Sequence, residues 1–278
     1  MMSADFTTQV RILFRKTIRI AFREHFYKSF IFAAVIGFAV MAVVSKGMFD
    51  TYNDTQSGFF TLMSACIWIG IFNTIQSICK EHEIIHADTR SGMMVSAYVI
   101  ALVMWQVIVC LCEALILFLI SNIFVNFNKD PLVFGSTSIE YFITIFLLLL
   151  GSACLGLMMS GIAENGTMAM VMMPFVLIVQ LILCGVLFEL KGAANVVSYI
   201  TYSKWGMSAF GSVADLNGPH LPLVLPDGRV MPDLPKPILD TYSHTASTLL
   251  TAWIAILIIT VVNVAGTIIA LKYRNRDS

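Results

Sequence analysis

Charge is what this chain has least of. Only 12% of its 278 residues are Asp, Glu, Lys or Arg, against about 25% in an ordinary soluble domain. A water-soluble fold of this length is excluded on that ground. The charges also cancel, with 17 of each sign, so no global basic character points to a nucleic-acid partner. Cysteines are few, and all of them (Cys66, Cys79, Cys110, Cys112, Cys154, Cys184) fall inside or at the end of apolar stretches. A disulfide framework is therefore not expected, and the thiols are read as small packing residues. No internal repeat or low-complexity run occurs.

Apolar residues take up the space that charge leaves. They make up 58% of the chain, and the mean hydropathy is +0.83. They gather in six stretches, at about residues 30–49, 58–79, 95–125, 139–162, 168–190 and 249–271. A bilayer core needs about 20 apolar residues in helix, and backbone in lipid must satisfy its own hydrogen bonds. The expected fold is an all-α polytopic membrane protein with six transmembrane helices in one domain over residues 1–278. A long cationic segment precedes the first stretch, unlike the short head of a signal peptide, so that stretch is read as a retained span.

The basic residues set the expected topology. Arg11, Arg15, Lys16, Arg19, Arg23 and Lys28 precede the first span, Lys80 and Arg90 follow the second, and Lys272, Arg274 and Arg276 follow the sixth. The other side carries Lys46, Lys129, Lys191, Lys204, Arg229 and Lys236. The positive-inside bias puts both termini in the cytoplasm and the protein in the cell membrane. Residues 6–28 are too charged to span. Arg11, Arg15, Arg19 and Arg23 recur every fourth residue opposite Phe6, Val10, Leu13, Phe14, Ile18 and Ala21, the pattern of an interfacial amphipathic helix.

Between the second and third spans, residues 80–93 form a polar cytoplasmic helix. They contain His82-Glu83-Ile84-Ile85-His86, an H-E-x-x-H match. Two His at i and i+4 can hold zinc while the Glu activates a bound water. A third ligand is needed, and the next acid within a span, Glu113, stands on a different helix; a charged protein-contact helix is the favoured reading and a zinc peptidase the alternative. Residues 191–247 form a long external loop. Its first part carries Tyr199, Tyr202, Trp205 and Phe210, which suits a re-entrant or interfacial helix. Its second part is rich in proline, and Pro226-Asp227-Gly228 reads as the tip of a small hairpin.

Polar residues inside spans face protein or a cavity. Asn73, Gln76 and Gln180 are of this kind, and Glu113 is the most costly of them; a structural pairing with Gln106 or a neighbouring span is one reading of it. Ser152, Gly156 and Ser160, four residues apart, read as close helix packing. The methionines around the turn at 164–167 read as ordinary packing, with an adaptable gate as the alternative.

Two stretches carry a resemblance. One is Glu83-Ile84-Ile85-His86-Ala87-Asp88-Thr89-Arg90-Ser91-Gly92, running into Ser96-Ala97-Tyr98. The other is Gly185-Val186-Leu187-Phe188 with Tyr202-Ser203-Lys204-Trp205-Gly206-Met207-Ser208-Ala209-Phe210. With the order of elements they resemble the membrane domain of type-2 ABC transporters, closest to the G-subfamily-like exporters. The resemblance implies a permease without catalytic chemistry of its own. It implies a coupling helix using Glu83, His86, Asp88 and Arg90, and a substrate path on the second span at Asn73 and Gln76 and on the fifth at Phe175, Gln180 and Leu183; Glu113 on the third span joins the path candidates because an ionisable group deep in a span is costly and usually functional. It also implies a second permease copy, as homodimer or heterodimer, and membrane lipid around them. No G-x-x-x-x-G-K-[ST] occurs, so ATP and Mg²⁺ are expected on a separate ATPase subunit. Non-transporting membrane scaffold or immunity protein on the same fold is a further alternative.

Overall fold

The computed structural model describes residues 5–23, 26–125, 130–188, 190–218, 221–224, 230–231 and 239–274. Its helices in chain order are α1 (Phe6–Arg23), α2 (Tyr27–Val44), α3 (Tyr52–Thr74), α4 (His82–Arg90), α5 (Val95–Phe124), α6 (Thr137–Ile162), α7 (Gly166–Ile182), α8 (Ala193–Ser198), α9 (Tyr202–Val213) and α10 (Ala246–Arg274). Among the described residues, α2, α3, α5, α6 and α10 are long and apolar enough to cross a membrane, and α7 is a shorter apolar helix of 17 residues.

The boundaries differ from expectation where caps override hydropathy. The second span starts at Tyr52, not 58. Thr51 caps it, its hydroxyl accepting from the Asp54 N–H at 3.1 Å, with Asp54 against the positive end of the helix. Polar Asn53, Asp54 and Gln56 hide these turns from a hydropathy reading. The span ends at Thr74 and the chain turns through a 3₁₀ segment, Cys79–Glu81, into α4. The first span stops at Val44 rather than 49, passing into the 3₁₀ turn Ser45–Gly47. The fifth span is the largest correction: it ends at Ile182, not 190. Leu183 closes the helix, and Gly185 at φ 81° takes a left-handed conformation that Leu187 and Phe188, though apolar, cannot undo.

The frame of the bundle is α3 against α6. The small residues on α6 meet a matching register on α3. Ser152 Oγ lies 3.3 Å from the Cys66 carbonyl, the Thr74 hydroxyl donates to the Ala153 carbonyl at 2.7 Å, and Ser160 Oγ accepts from the Ile78 and Cys79 N–H groups at 3.0 and 3.1 Å. A Cβ on Gly70 would fall 2.6 Å from the Leu149 carbonyl oxygen, and one on Gly156 2.8 Å from the Ile71 carbonyl oxygen. Two backbones this close require glycine on both sides. α10 lies on the other face of α6, and Trp253 Nε1 donates to Thr144 Oγ1 at 3.0 Å.

The expected re-entrant or interfacial helix is α9, and it is packed inside one end of the bundle rather than laid on its surface. Ser203 and Gly206 through Val213 are buried. Phe210 stacks on Phe59 of α3 with ring centroids 5.2 Å apart. The Ser203 N–H donates to Gln180 Oε1 of α7 at 3.2 Å, and Asn263 of α10 donates to the Tyr202 hydroxyl at 2.7 Å. Beyond α9, strands β1 (Leu223–Val224) and β2 (Val230–Met231) pair antiparallel. The expected tip, Pro226-Asp227-Gly228, lies outside the described residues. On the same end, the buried carboxylate of Glu140 gathers the N–H groups of Leu132, Val133 and Phe134, tying the α5–α6 connection to the first turn of α6.

Candidate functional site

The opposite end of the bundle carries α4. Its stop is a complete Schellman motif: Met93 N–H donates to the Asp88 carbonyl at 3.0 Å and Gly92 N–H to the Thr89 carbonyl at 3.0 Å, with Gly92 at φ 100°. Glycine there lets the chain reverse at once into α5. Ile85 plugs α4 into an apolar cluster with Ile78, Val95 and Tyr98. Glu81, just ahead of α4, accepts from the Tyr98 hydroxyl at 3.0 Å.

α1 holds this corner from the side. Gln9 is buried and uses both ends of its amide, donating to the Gly92 carbonyl at 3.2 Å and accepting from the Met94 N–H at 2.8 Å. Lys16 pairs with Asp88 at 2.9 Å, with both side chains about two-fifths exposed. The apolar face expected to enter lipid is instead packed on α5 of the same chain: Leu13 is buried, and Val10 and Phe14 are partly buried. Arg11, Arg15, Arg19 and Arg23 all face outward. A lone uncharged Gln on the inner face of a basic helix was the signal for this clamp.

What α4 leaves outward is a stripe of Glu83, Ile84, Ala87 and Arg90, with Ile84 52% exposed. These positions share one helix face. His86 is half-buried, and Asp88 is turned toward α1. The His82 and His86 rings lie with centroids 6.5 Å apart. Among the described residues no group of three His, Cys, Asp or Glu comes together to hold a metal, and Glu83 points away from the bundle. Among the described residues the H-E-x-x-H spacing has no third ligand of the kind that a catalytic zinc requires.

Above α4 the polar residues of the spans converge. Glu113 of α5 is fully buried; Asn73 of α3 donates to its two oxygens at 2.7 and 2.9 Å, and the Ser29 hydroxyl of α2 donates to it as well. Gln106, a suggested partner of Glu113, is not among these contacts, because it stands about two turns below on the same helix. Ser29 is not legible in the sequence as a member of this cluster, since a serine at a helix start carries no distinguishing pattern. A cavity of about 550 Å³ beside this cluster is lined by Asn73, Gln76, Lys28, Lys80, Phe32 and Met170, among others. Phe32 and Phe72 stack at its wall with centroids 5.0 Å apart.

The α7 candidates separate from these. Phe175 is 67% exposed on the outer face of α7, and Leu183 is half-buried at its end. Gln180 is buried and committed to Ser203 of α9, its backbone carbonyl accepting the serine hydroxyl. None of the three lines the cavity that Asn73 and Gln76 share.

Six apolar helices thus carry a short charged helix slung between the second and third of them. The family described as ABC-2 type transporter matches residues 8–213. The chain belongs to that family. It is thus a membrane-spanning permease component of an ABC transporter. It is also 22% identical over 223 residues to an ABC transporter ATP-binding/permease protein of Mycobacterium tuberculosis (strain ATCC 25618 / H37Rv). That alignment covers 75% of this chain and 25% of the relative, so the chain spans about a quarter of the relative's length.

Proposed function

We propose that this ABC-2 permease exports an amphipathic, lipid-like, peptide or drug-like molecule, driven by an ATP-binding cassette outside these 278 residues and carried on a separate ATPase subunit. Two six-span permeases pair, with both termini in the cytoplasm of the cell membrane, and the cassettes dock beneath α4. The observation that carries this is the rigid hold on α4. Its Schellman stop, the Ile85 plug, the Gln9 bridge and the Lys16–Asp88 pair fix one face, and Glu83, Ile84, Ala87 and Arg90 present the other. A helix fixed on one face and exposed on the other transmits a push as a rigid body. Asp88 then acts on the permease side by holding α1 to α4, and Glu83, His86 and Arg90 meet the cassette.

Asn73 and Gln76, with Glu113 behind them, form the α4-end half of the substrate path, and Phe175 and Leu183 face the paired permease farther along α7. Gln180 supports the path by fixing α9 across its far end. Arg11, Arg15, Arg19 and Arg23 lie against lipid headgroups at the cytoplasmic surface.

Reversing both charges on the outer face (Glu83→Arg with Arg90→Glu) tests the reading. Exposed charges contribute little to folding, within about 0.5 kcal/mol. At a desolvated interface the same changes cost 2–5 kcal/mol, so a drop of tenfold or more in cassette affinity is expected. The expected result is an unchanged melting temperature with loss of permease-stimulated ATP hydrolysis in reconstituted membranes. Gentle extraction with mass spectrometry supplies the partner. If no P-loop ATPase co-purifies, or if the reversed variant stimulates as well as the parent, the docking role of α4 is wrong.

A further inference from the structure

A second cavity, of about 220 Å³, lies between α1, α2, α3 and α5, on the far side of Ser29 and Asn73 from the first. Its chemistry differs from its neighbour's. The larger cavity has Lys28 and Lys80 on its wall; the smaller has no Lys or Arg among its described lining residues. The Glu81 carboxylate stands on the wall that the two cavities share, and the described residues give it the Tyr98 hydroxyl but no cation within 4.0 Å. Glu113, fully buried, stands behind Asn73. Gln106 lines the cavity and is 94% buried by its 6% exposure, yet its Oε1 is a buried acceptor with no donor. Such orphaned acceptors are rare and call for an explanation. Phe26 and Trp105 form the aromatic wall, edge to face with centroids 5.7 Å apart.

Carboxylate, spare acceptor and two aromatic rings, with no lysine or arginine on the described wall of this cavity, make a receptor for positive charge on an apolar body. We infer that this cavity binds an alkylammonium group, the ammonium facing Glu81 and Gln106 and the hydrocarbon lying along Ile20, Leu102 and Val109. The ammonium belongs either to a free amphiphilic amine or to the headgroup of a membrane lipid. The site names a substrate class for the exporter only if the permease reading above holds, but occupancy itself requires no ATPase and no transport.

The test is therefore direct binding to the whole chain in lipid nanodiscs. The probe is dodecylammonium brominated at the chain end, whose N–H groups can donate to Gln106 Oε1, read by quenching of tryptophan fluorescence, with Trp105→Phe locating the reporter. Brominated dodecanoate is the charge-inverted comparison. The expected result is saturable quenching by the cation, at least tenfold weaker binding of the anion, and at least tenfold weaker cation binding in Glu81→Gln. Gln106→Leu is expected to weaken the cation as well, and it decides the matter with the anion comparison if Glu81→Gln fails to fold. Equal binding of cation and anion, or an unchanged dissociation constant in both variants, would overturn the inference. Nanodiscs of phosphatidylglycerol alone and of phosphatidylglycerol with phosphatidylethanolamine separate the two sources. A lower apparent affinity in the mixture assigns the site to a lipid headgroup, and no difference assigns it to the free amphiphile. Loss of cation binding with ATPase stimulation intact would remove this site and leave the α4 docking reading standing.

Discussion

Gly156→Leu is expected to leave almost no folded protein. Even the single carbon of alanine would fall 2.2 Å from Thr74 Oγ1, 2.8 Å from the Ile71 carbonyl oxygen and 3.1 Å from the Ile71 Cα. Two of those three atoms are backbone and cannot rotate aside. Overpacking a tight core by one methyl costs about 1–3 kcal/mol, and leucine adds three more carbons to a space already closed. The whole frame moves if α3 and α6 part, because the Thr74, Ser152 and Ser160 hydrogen bonds depend on the same approach. Gly161→Ala is the control on the same helix. Its nearest neighbour would be Thr267 Cγ2 at 3.7 Å, ordinary contact, and it should melt like the parent. The measurement is the monodisperse fraction on size exclusion and the melting temperature in detergent. A Gly156→Leu protein that elutes and melts like the parent would falsify the described seam.

Asn73→Leu has the second largest expected effect. It takes from Glu113 two of the three hydrogen bonds that satisfy a fully buried carboxylate. Leaving a buried carboxyl group short of donors costs about 1–3 kcal/mol. The sign reverses in the double variant. With Glu113→Leu added, no acceptor is left to strand, and apolar side chains of similar size fill the same space. The double variant is expected to be more stable than Asn73→Leu alone, with a coupling energy of at least about 1.5 kcal/mol. Thermal unfolding of the four proteins of the cycle in nanodiscs gives the number. Strict additivity would mean that the two side chains do not meet.

These two sites differ in how far the sequence announced them. Ser152, Gly156 and Ser160 repeat at four, which is the helical neighbour spacing, so a close-packed stripe was readable without knowing its partner. That Cys66, Gly70 and Thr74 of α3, with Ile78 just beyond its end, form the matching register was not readable, because serine, glycine and threonine also scatter through other spans. Glu113 was conspicuous as a carboxylate in an apolar run. Its partners were not: Asn73 and Ser29 are 40 and 84 residues away in sequence, and no local pattern couples positions that far apart. Gln180 is legible as a polar group that needs a partner inside a span, and only the fold shows that its side chain and backbone carbonyl both meet Ser203 of α9.

The sequence by itself determined the class of molecule and the number of its apolar helices. Lipid offers the backbone no hydrogen bonds, so a long apolar stretch has one stable conformation whatever surrounds it. It also determined that a charged helix lies between the second and third spans, since polar residues between two apolar stretches must return to water. Only the tertiary structure decided where α7 stops, that α9 is packed inside the bundle, that α1 grips the α4–α5 corner through Gln9, and that one cavity carries lysines while its neighbour carries an unpaired acceptor. Those outcomes depend on which side chains meet across helices, and helix packing balances many contacts of about 0.6–2 kcal/mol that hydropathy does not record.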